Sequence, residues 1–217
     1  MINYIFLFFL PGGAGHFVAR ALNLVSDHHY CLATSKDTIF LNLDQRSEML
    51  GYGTAHDCSD WNEFEKQIRH YSDLIPYHSL SDKSYSIWLS HPDYNLLKRD
   101  IVGQDDCEFR FYIDPGDELE WCLLNALYKD AHISRKWLTT GQDMMNDPGI
   151  HKISLGNIIR DCDSFCNEML YICSLTGKMP ESHNLDMMRN LWYQWTDTTL
   201  KHSQFDEFKR SLGWKLK

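Results

Sequence analysis

The run Ile5-Phe6-Leu7-Phe8-Phe9-Leu10, followed at once by Pro11-Gly12-Gly13-Ala14-Gly15, constrains the fold more than any other stretch of the chain. Successive apolar residues leave no face for water. The run therefore reads as a strand inside a parallel sheet, covered by helices on each side. Pro11 has no N–H to give a ladder and ends the strand. Gly12, Gly13 and Gly15 permit backbone angles and close approaches that a side chain would block. From Ala14 the pattern turns helical, with Phe17, Ala21 and Leu24 or Val25 on one stripe. A glycine turn from a strand into a helix aims several N–H groups and the positive end of a dipole at one point, which suits an anion, most often phosphate. Neither the Walker pattern GxxxxGK followed by Ser or Thr nor the GxGxxG fingerprint is present. Two readings of the turn stand: a phosphate cradle and a plain tight βα turn.

Length and composition narrow the class. At 217 residues, one α/β domain over 1–217 is expected, with a substantial core. The chain carries 21 basic and 30 acidic residues, a net charge of −9, which argues against general nucleic-acid binding. It leaves room for a local positive pocket for a small anion. Seven cysteines, among them Cys162 and Cys166, are scattered without a CxxC pair. That pattern favours a reducing, cytoplasmic setting and no metal site. The apolar start lacks the basic flank of a signal peptide, and no later stretch reaches the length of a membrane span, so none is expected.

Along the chain, strand-like runs recur between helical patterns. Tyr30–Ala33 and Thr38–Leu41 suggest a hairpin or an edge addition. Residues 42–58 read as loop. A helix capped by Ser59 or Asp60 carries Trp61, Phe64 and Ile68 and ends at Pro76. A second main strand covers Tyr85–Leu89 and breaks at Ser90-His91-Pro92; residues 94–101 read as a short helix. A third covers Cys107–Ile113 and breaks at Asp114-Pro115-Gly116. Asp117 is placed to cap a helix with Leu119, Trp121, Leu123, Leu124 and Leu127 on its apolar side. A helix over 134–146 and a strand over His151–Leu155 follow. Next comes one long helix from Gly156 or Asp161 to Leu175, with Gly177 at its C-cap. Helices over Leu185–Leu200 and Gln204–Leu212 close the sequence. Strand and helix alternate, which predicts a doubly wound, mainly parallel sheet with helices on both faces, a three-layer α/β/α arrangement. Ligands of such sheets bind at the carboxyl ends of the strands. The breaks after Leu10, at His91-Pro92 and at Asp114-Pro115 should lie there side by side.

With those three strand ends in place, the chain resembles the sulfotransferases that use 3′-phosphoadenosine-5′-phosphosulfate (PAPS) as donor, a family with a P-loop-like α/β fold. Pro11-Gly12-Gly13-Ala14-Gly15-His16-Phe17 stands where that family cradles the 5′-phosphosulfate. Ser90-His91-Pro92 is similar to its Thr-His-x-Pro segment, whose histidine is the catalytic base. Ile113-Asp114-Pro115-Gly116-Asp117 looks like the segment leading to the 3′-phosphate helix. Leu155-Gly156-Asn157-Ile158-Ile159, the long helix and the Trp-bearing helix extend the likeness over most of residues 3–200. The chain departs where the family has a first-turn lysine (here Gly12), an arginine (here Ile113) and a helix serine (here Trp121 or Cys122). Arg20, Arg110, His16 and Arg135 are the cations available in their place.

The resemblance implies sulfuryl transfer from PAPS to a hydroxyl or amine of a small-molecule, glycan or lipid acceptor, without a metal. Such a transfer needs a base for the acceptor proton and donors for charge building on oxygen. His91, with an ordinary pKa near ~6.5, suits the base; read alone, it merely ends a strand before Pro92. His16 either donates to an anion or faces solvent. Asp114 and Asp117 read as turn and cap residues, with Asp114 also in the implied donor segment. A P-loop-type nucleotide-dependent kinase and a non-catalytic binding domain that keeps the fold are the alternatives.

Overall fold

The computed structural model describes residues 3–25, 33–35, 38–39, 85–92, 107–128, 133–177, 179–180 and 182–199. The helices expected over 59–75, 94–101 and 204–212, and the loop over 42–58, lie outside the described residues. Strand β1 (Asn3–Phe8) leads into helix α1 (Gly15–Val25). The short strands β2 (Ala33–Ser35) and β3 (Thr38–Ile39) pair antiparallel, the hairpin of the two alternatives. Then come β4 (Tyr85–Ser90), β5 (Cys107–Asp114), a 3₁₀ turn at Gly116–Glu118 and α2 (Leu119–Tyr128). Helix α3 (Arg135–Asn146), β6 (His151–Ser154), α4 (Leu155–Arg160), α5 (Cys162–Thr176) and α6 (Ser182–Thr199) complete the order.

The main sheet has the order β4-β1-β5-β6, and every pairing in it is parallel. The apolar run thus forms an interior strand, and Ile5 through Leu10 are each at most 4% exposed. Alternate residues serve different partners. Ile5, Leu7, Phe111, Ile113 and Ile153 share one core with Phe17 and Val18 of α1, Phe165 and Met169 of α5, and Met188 and Trp195 of α6. Phe6, Phe8 and Tyr112 are buried as well. The Tyr112 hydroxyl sits against Gly141 of α3, where a Cβ would strike it.

Of the two starts expected for the long helix, Asp161 is the one observed, because it adopts an extended conformation and Leu155–Arg160 forms the separate helix α4 before it. Its carboxylate accepts from the Ser164 N–H and hydroxyl, both at 2.8 Å, and so caps α5. The Trp192 indole N–H donates to the Ile158 carbonyl at 2.8 Å, satisfying the end of α4. On α2 the buried side is Cys122, Leu124, Asn125 and Ala126, whereas Leu119 and Leu127 are exposed. Gly177, at φ +72°, closes α5 as expected.

Candidate functional site

The register of the sheet brings three chain turns to one edge. Phe8 lies opposite Ser90 of β4 and Tyr112 of β5. The segments that follow these residues therefore leave the sheet side by side, at the carboxyl ends of its strands.

Leu10 to Gly13 forms a tight turn with Pro11 and Gly12 in its middle. Gly12 has φ +84°, and the Gly13 N–H donates to the Leu10 carbonyl at 2.8 Å. Proline followed by a positive-φ glycine is the pattern of a type II turn. Ala14, at φ +61°, then passes the chain into α1, its carbonyl accepting from the Val18 N–H at 3.0 Å. A left-handed alanine costs about 1–2 kcal/mol, and such strain tends to collect at functional sites. The N–H groups of Gly15, His16 and Phe17 follow, with no carbonyl four residues back inside the helix.

Helix α2 clamps this turn. The Cys122 thiol donates to the Pro11 carbonyl at 3.2 Å, and the Asn125 amide donates to the Gly12 carbonyl at 2.8 Å. A Cβ on Gly12 would collide with the Cys122 carbonyl and the Ala126 nitrogen. The turn is thus sterically closed to a side chain at Gly12, and Cys122 works as a clamp on its backbone.

Phe9, 3% exposed, is the hinge of the site. Its ring fills the space that a Cβ on Gly15 would take. It meets His16 edge-on at 5.8 Å between ring centres and His91 at 5.4 Å. Trp137, from the first turn of α3, adds a second ring to His91 at 4.3 Å. His91 Nδ1 lies 3.0 Å from the Phe9 carbonyl. A carbonyl only accepts, so Nδ1 carries the hydrogen and the lone pair of the neutral ring sits on Nε2. That tautomer is the one a base acting through Nε2 requires.

The remaining candidates spread around this row of rings. His16 is exposed at the start of α1, and Arg20, one turn further, is buried. The Phe17 ring stacks on Trp195 at 4.2 Å and packs on Phe165 at 4.9 Å, so its side chain belongs to the core and only its backbone faces the turn. Asp114 accepts from the Gly116 N–H at 2.9 Å and shapes the turn after β5. Asp117 is not a cap: it lies inside the 3₁₀ turn, whose N-cap position is Pro115. Asp117, Glu118 and Glu120 make this segment acidic. Arg110 is half-buried in β5 opposite Phe6, and Arg135 is exposed at the start of α3.

Phe9, Asn125 and Trp137 were not visible as site residues in the sequence, and Cys122 was named there only as one of two residues at a family position. Cys122, Asn125 and Ala126 share one helical face at i, i+3 and i+4, a small-and-polar patch on an otherwise apolar helix. That patch was the available signal. For Trp137 there was none. Among the described residues no helix is long and apolar enough to cross a membrane. Comparison with protein-family models, curated proteins and solved structures finds no match to the chain.

Proposed function

We propose that the chain is a divergent sulfotransferase that moves a sulfuryl group from PAPS to a hydroxyl or amine of an acceptor, on a doubly wound, P-loop-like α/β/α fold. The observation that carries this reading is His91 at the carboxyl edge of the sheet, its Nδ1 on the Phe9 carbonyl and its ring against that of Phe9, which also meets His16 at the start of α1. In this reading the amides of Gly15, His16 and Phe17 and the positive end of α1 receive the transferring group. His91 takes the acceptor proton through Nε2. In-line attack forms the new O–S or N–S bond and breaks the bond to the phosphate oxygen, whose charge leaves on 3′-phosphoadenosine 5′-phosphate. The His16 imidazole and the Arg20 guanidinium stand in for the missing lysine.

Incubation with labelled PAPS and an acceptor panel tests the reading, together with calorimetric titration of 3′-phosphoadenosine 5′-phosphate. His91→Ala is expected to retain nucleotide binding and lose about a hundredfold or more in turnover. Absence of binding of either nucleotide at millimolar concentration overturns the proposal. The closed space at Gly12 favours a second reading, a non-catalytic domain that binds an anion at the same turn. Nucleotide binding without turnover over the whole panel selects it.

A further inference from the structure

We propose that Trp137 is a positioning residue for His91, fixing the ring in the orientation and tautomer that aim Nε2 at a reacting proton. The role rests on the reading of His91 as a base. Its geometric content stands independently of which group is transferred.

His91 is held by contacts from three directions along the chain. Pro92 follows it and is buried, and a residue before proline is confined to extended backbone. The Phe9 carbonyl takes its Nδ1–H at 3.0 Å, and the Phe9 ring lies edge-on at 5.4 Å. These two contacts come from one residue of the neighbouring strand end. Trp137 supplies the third, from a different layer: its ring centre is 4.3 Å from that of the imidazole, at an interplanar angle of 42°.

The main chain that carries Trp137 is fixed by the cap of α3: the Trp137 backbone N–H donates to the Ser134 carbonyl at 3.0 Å, and the Ser134 hydroxyl accepts from the Lys136 backbone N–H at 3.2 Å. An imidazole turns about two side-chain bonds. A hydrogen bond at Nδ1 does not by itself stop rotation about those two bonds, and a ring that leaves it can carry the hydrogen on either nitrogen. A broad ring packed on the imidazole removes that swing. Small errors in the placing of a base are costly in rate, by up to about a hundredfold for an ångström.

The test reads the imidazole directly. With histidine labelled at both ring nitrogens, long-range ¹H–¹⁵N correlation distinguishes a protonated Nδ1 from a protonated Nε2, and His91→Gln identifies the His91 signals by their loss. The unsubstituted protein is expected to show protonated Nδ1 and bare Nε2. Trp137→Ala is expected to collapse this pattern toward a mixture of tautomers, and Trp137→Phe to restore it. Trp137→Leu fills much of the volume without a ring; it should show the same mixture and replaces the alanine variant if that one fails to fold. Where turnover is measurable, Trp137→Ala should lower kcat roughly tenfold to a hundredfold while KM for PAPS stays within about twofold. An unchanged His91 pattern in folded Trp137→Ala or Trp137→Leu overturns the proposal. A wild-type protein that binds no donor nucleotide overturns the transferase reading instead, and the spectra still decide the role of Trp137.

Discussion

The ring of Phe9 stands in the space that a Cβ on Gly15 would occupy. One apolar residue at the end of a strand thereby dictates a glycine at the start of a helix. The same ring touches both His16 and His91. Gly15→Ala should therefore disturb more than the helix start. In an open helical position the change would gain up to about 1 kcal/mol; here overpacking should cost about 1–3 kcal/mol instead. Urea unfolding of Gly15→Ala, Phe9→Ala and the double variant checks this. With the ring gone, the penalty at Gly15 should disappear; equal penalties in both backgrounds would show that the ring is not the cause.

The clamp from α2 gives a second expectation. Asn125 is 4% exposed, and its amide holds the Gly12 carbonyl. Asn125→Ala should cost about 1–3 kcal/mol, because it leaves a carbonyl of the turn without its donor. Gly12→Lys introduces the residue type that sulfotransferases carry in the turn of the proposed resemblance, yet it should lower stability and bring no gain in nucleotide affinity. Its φ of +84° and the backbone of α2 both oppose a side chain there. Denaturant midpoints and a nucleotide titration on the two variants test the pair of claims. A folded Gly12→Lys with tighter nucleotide binding would refute the closed-turn picture.

Asp161 divides α4 from α5, and its pH behaviour follows from its bonds. The Ser164 N–H and hydroxyl, acting on the charged form, hold its carboxyl below its ordinary value of 3.8. A lowered carboxylate contributes stability that is complete above the unfolded value and is lost as pH falls through the folded one. The loss is therefore expected below pH 3.8, and Asp161→Asn should flatten that part of the acid limb. Thermal midpoints of both proteins across the acid range decide it; parallel curves would remove Asp161 as a contributor.

That break was half legible: Asp161 stood as one of two starts for the long helix, and Leu155–Arg160 and Cys162–Thr176 continue one helical pattern, so periodicity could not choose between them. The Asp-x-x-Ser spacing is the local mark of the cap. By contrast, β1 was readable because Ile5 to Leu10 are all apolar and a proline and glycines follow, local signals that no distant partner needs to confirm. Its neighbours β4 and β5 carry polar residues and were readable from their aromatic and β-branched runs and the Pro92 and Pro115 that follow them, and with them the edge at which the turns meet. The clamp was not readable: Cys122 reaches Pro11 across 111 positions and Asn125 reaches Gly12 across 113. Contacts of that range depend on how α2 docks, and periodicity carries no record of docking. Leu119 and Leu127 point the same lesson, since the apolar count of α2 placed them inside and the helix turns them outward.

The cysteines of α5 carry an expectation for alkaline pH. Burial pushes the Cys173 thiol up to about 12 and the Cys162 thiol up to about 11, and it raises Cys166 as well. Keeping a thiol neutral in the core stabilises the fold for as long as the unfolded thiol is neutral too. The contribution is thus complete below the ordinary value of 9.0 and declines as pH rises from there toward about 12. Burial also holds the Tyr112 phenol above its ordinary value of 10.0, which adds to the decline at higher pH. Urea midpoints should be level from neutral pH to about 9 and fall beyond it. Cys173→Ala starts lower, because it opens a cavity, but its fall should be shallower, since one buried thiol no longer draws the unfolded state. The slope, not the offset, carries the test: identical slopes for the two proteins would mean that Cys173 ionises as easily folded as unfolded. Alkylation gives an independent reading, with Cys162, Cys166 and Cys173 expected to resist iodoacetamide at neutral pH until the protein is unfolded.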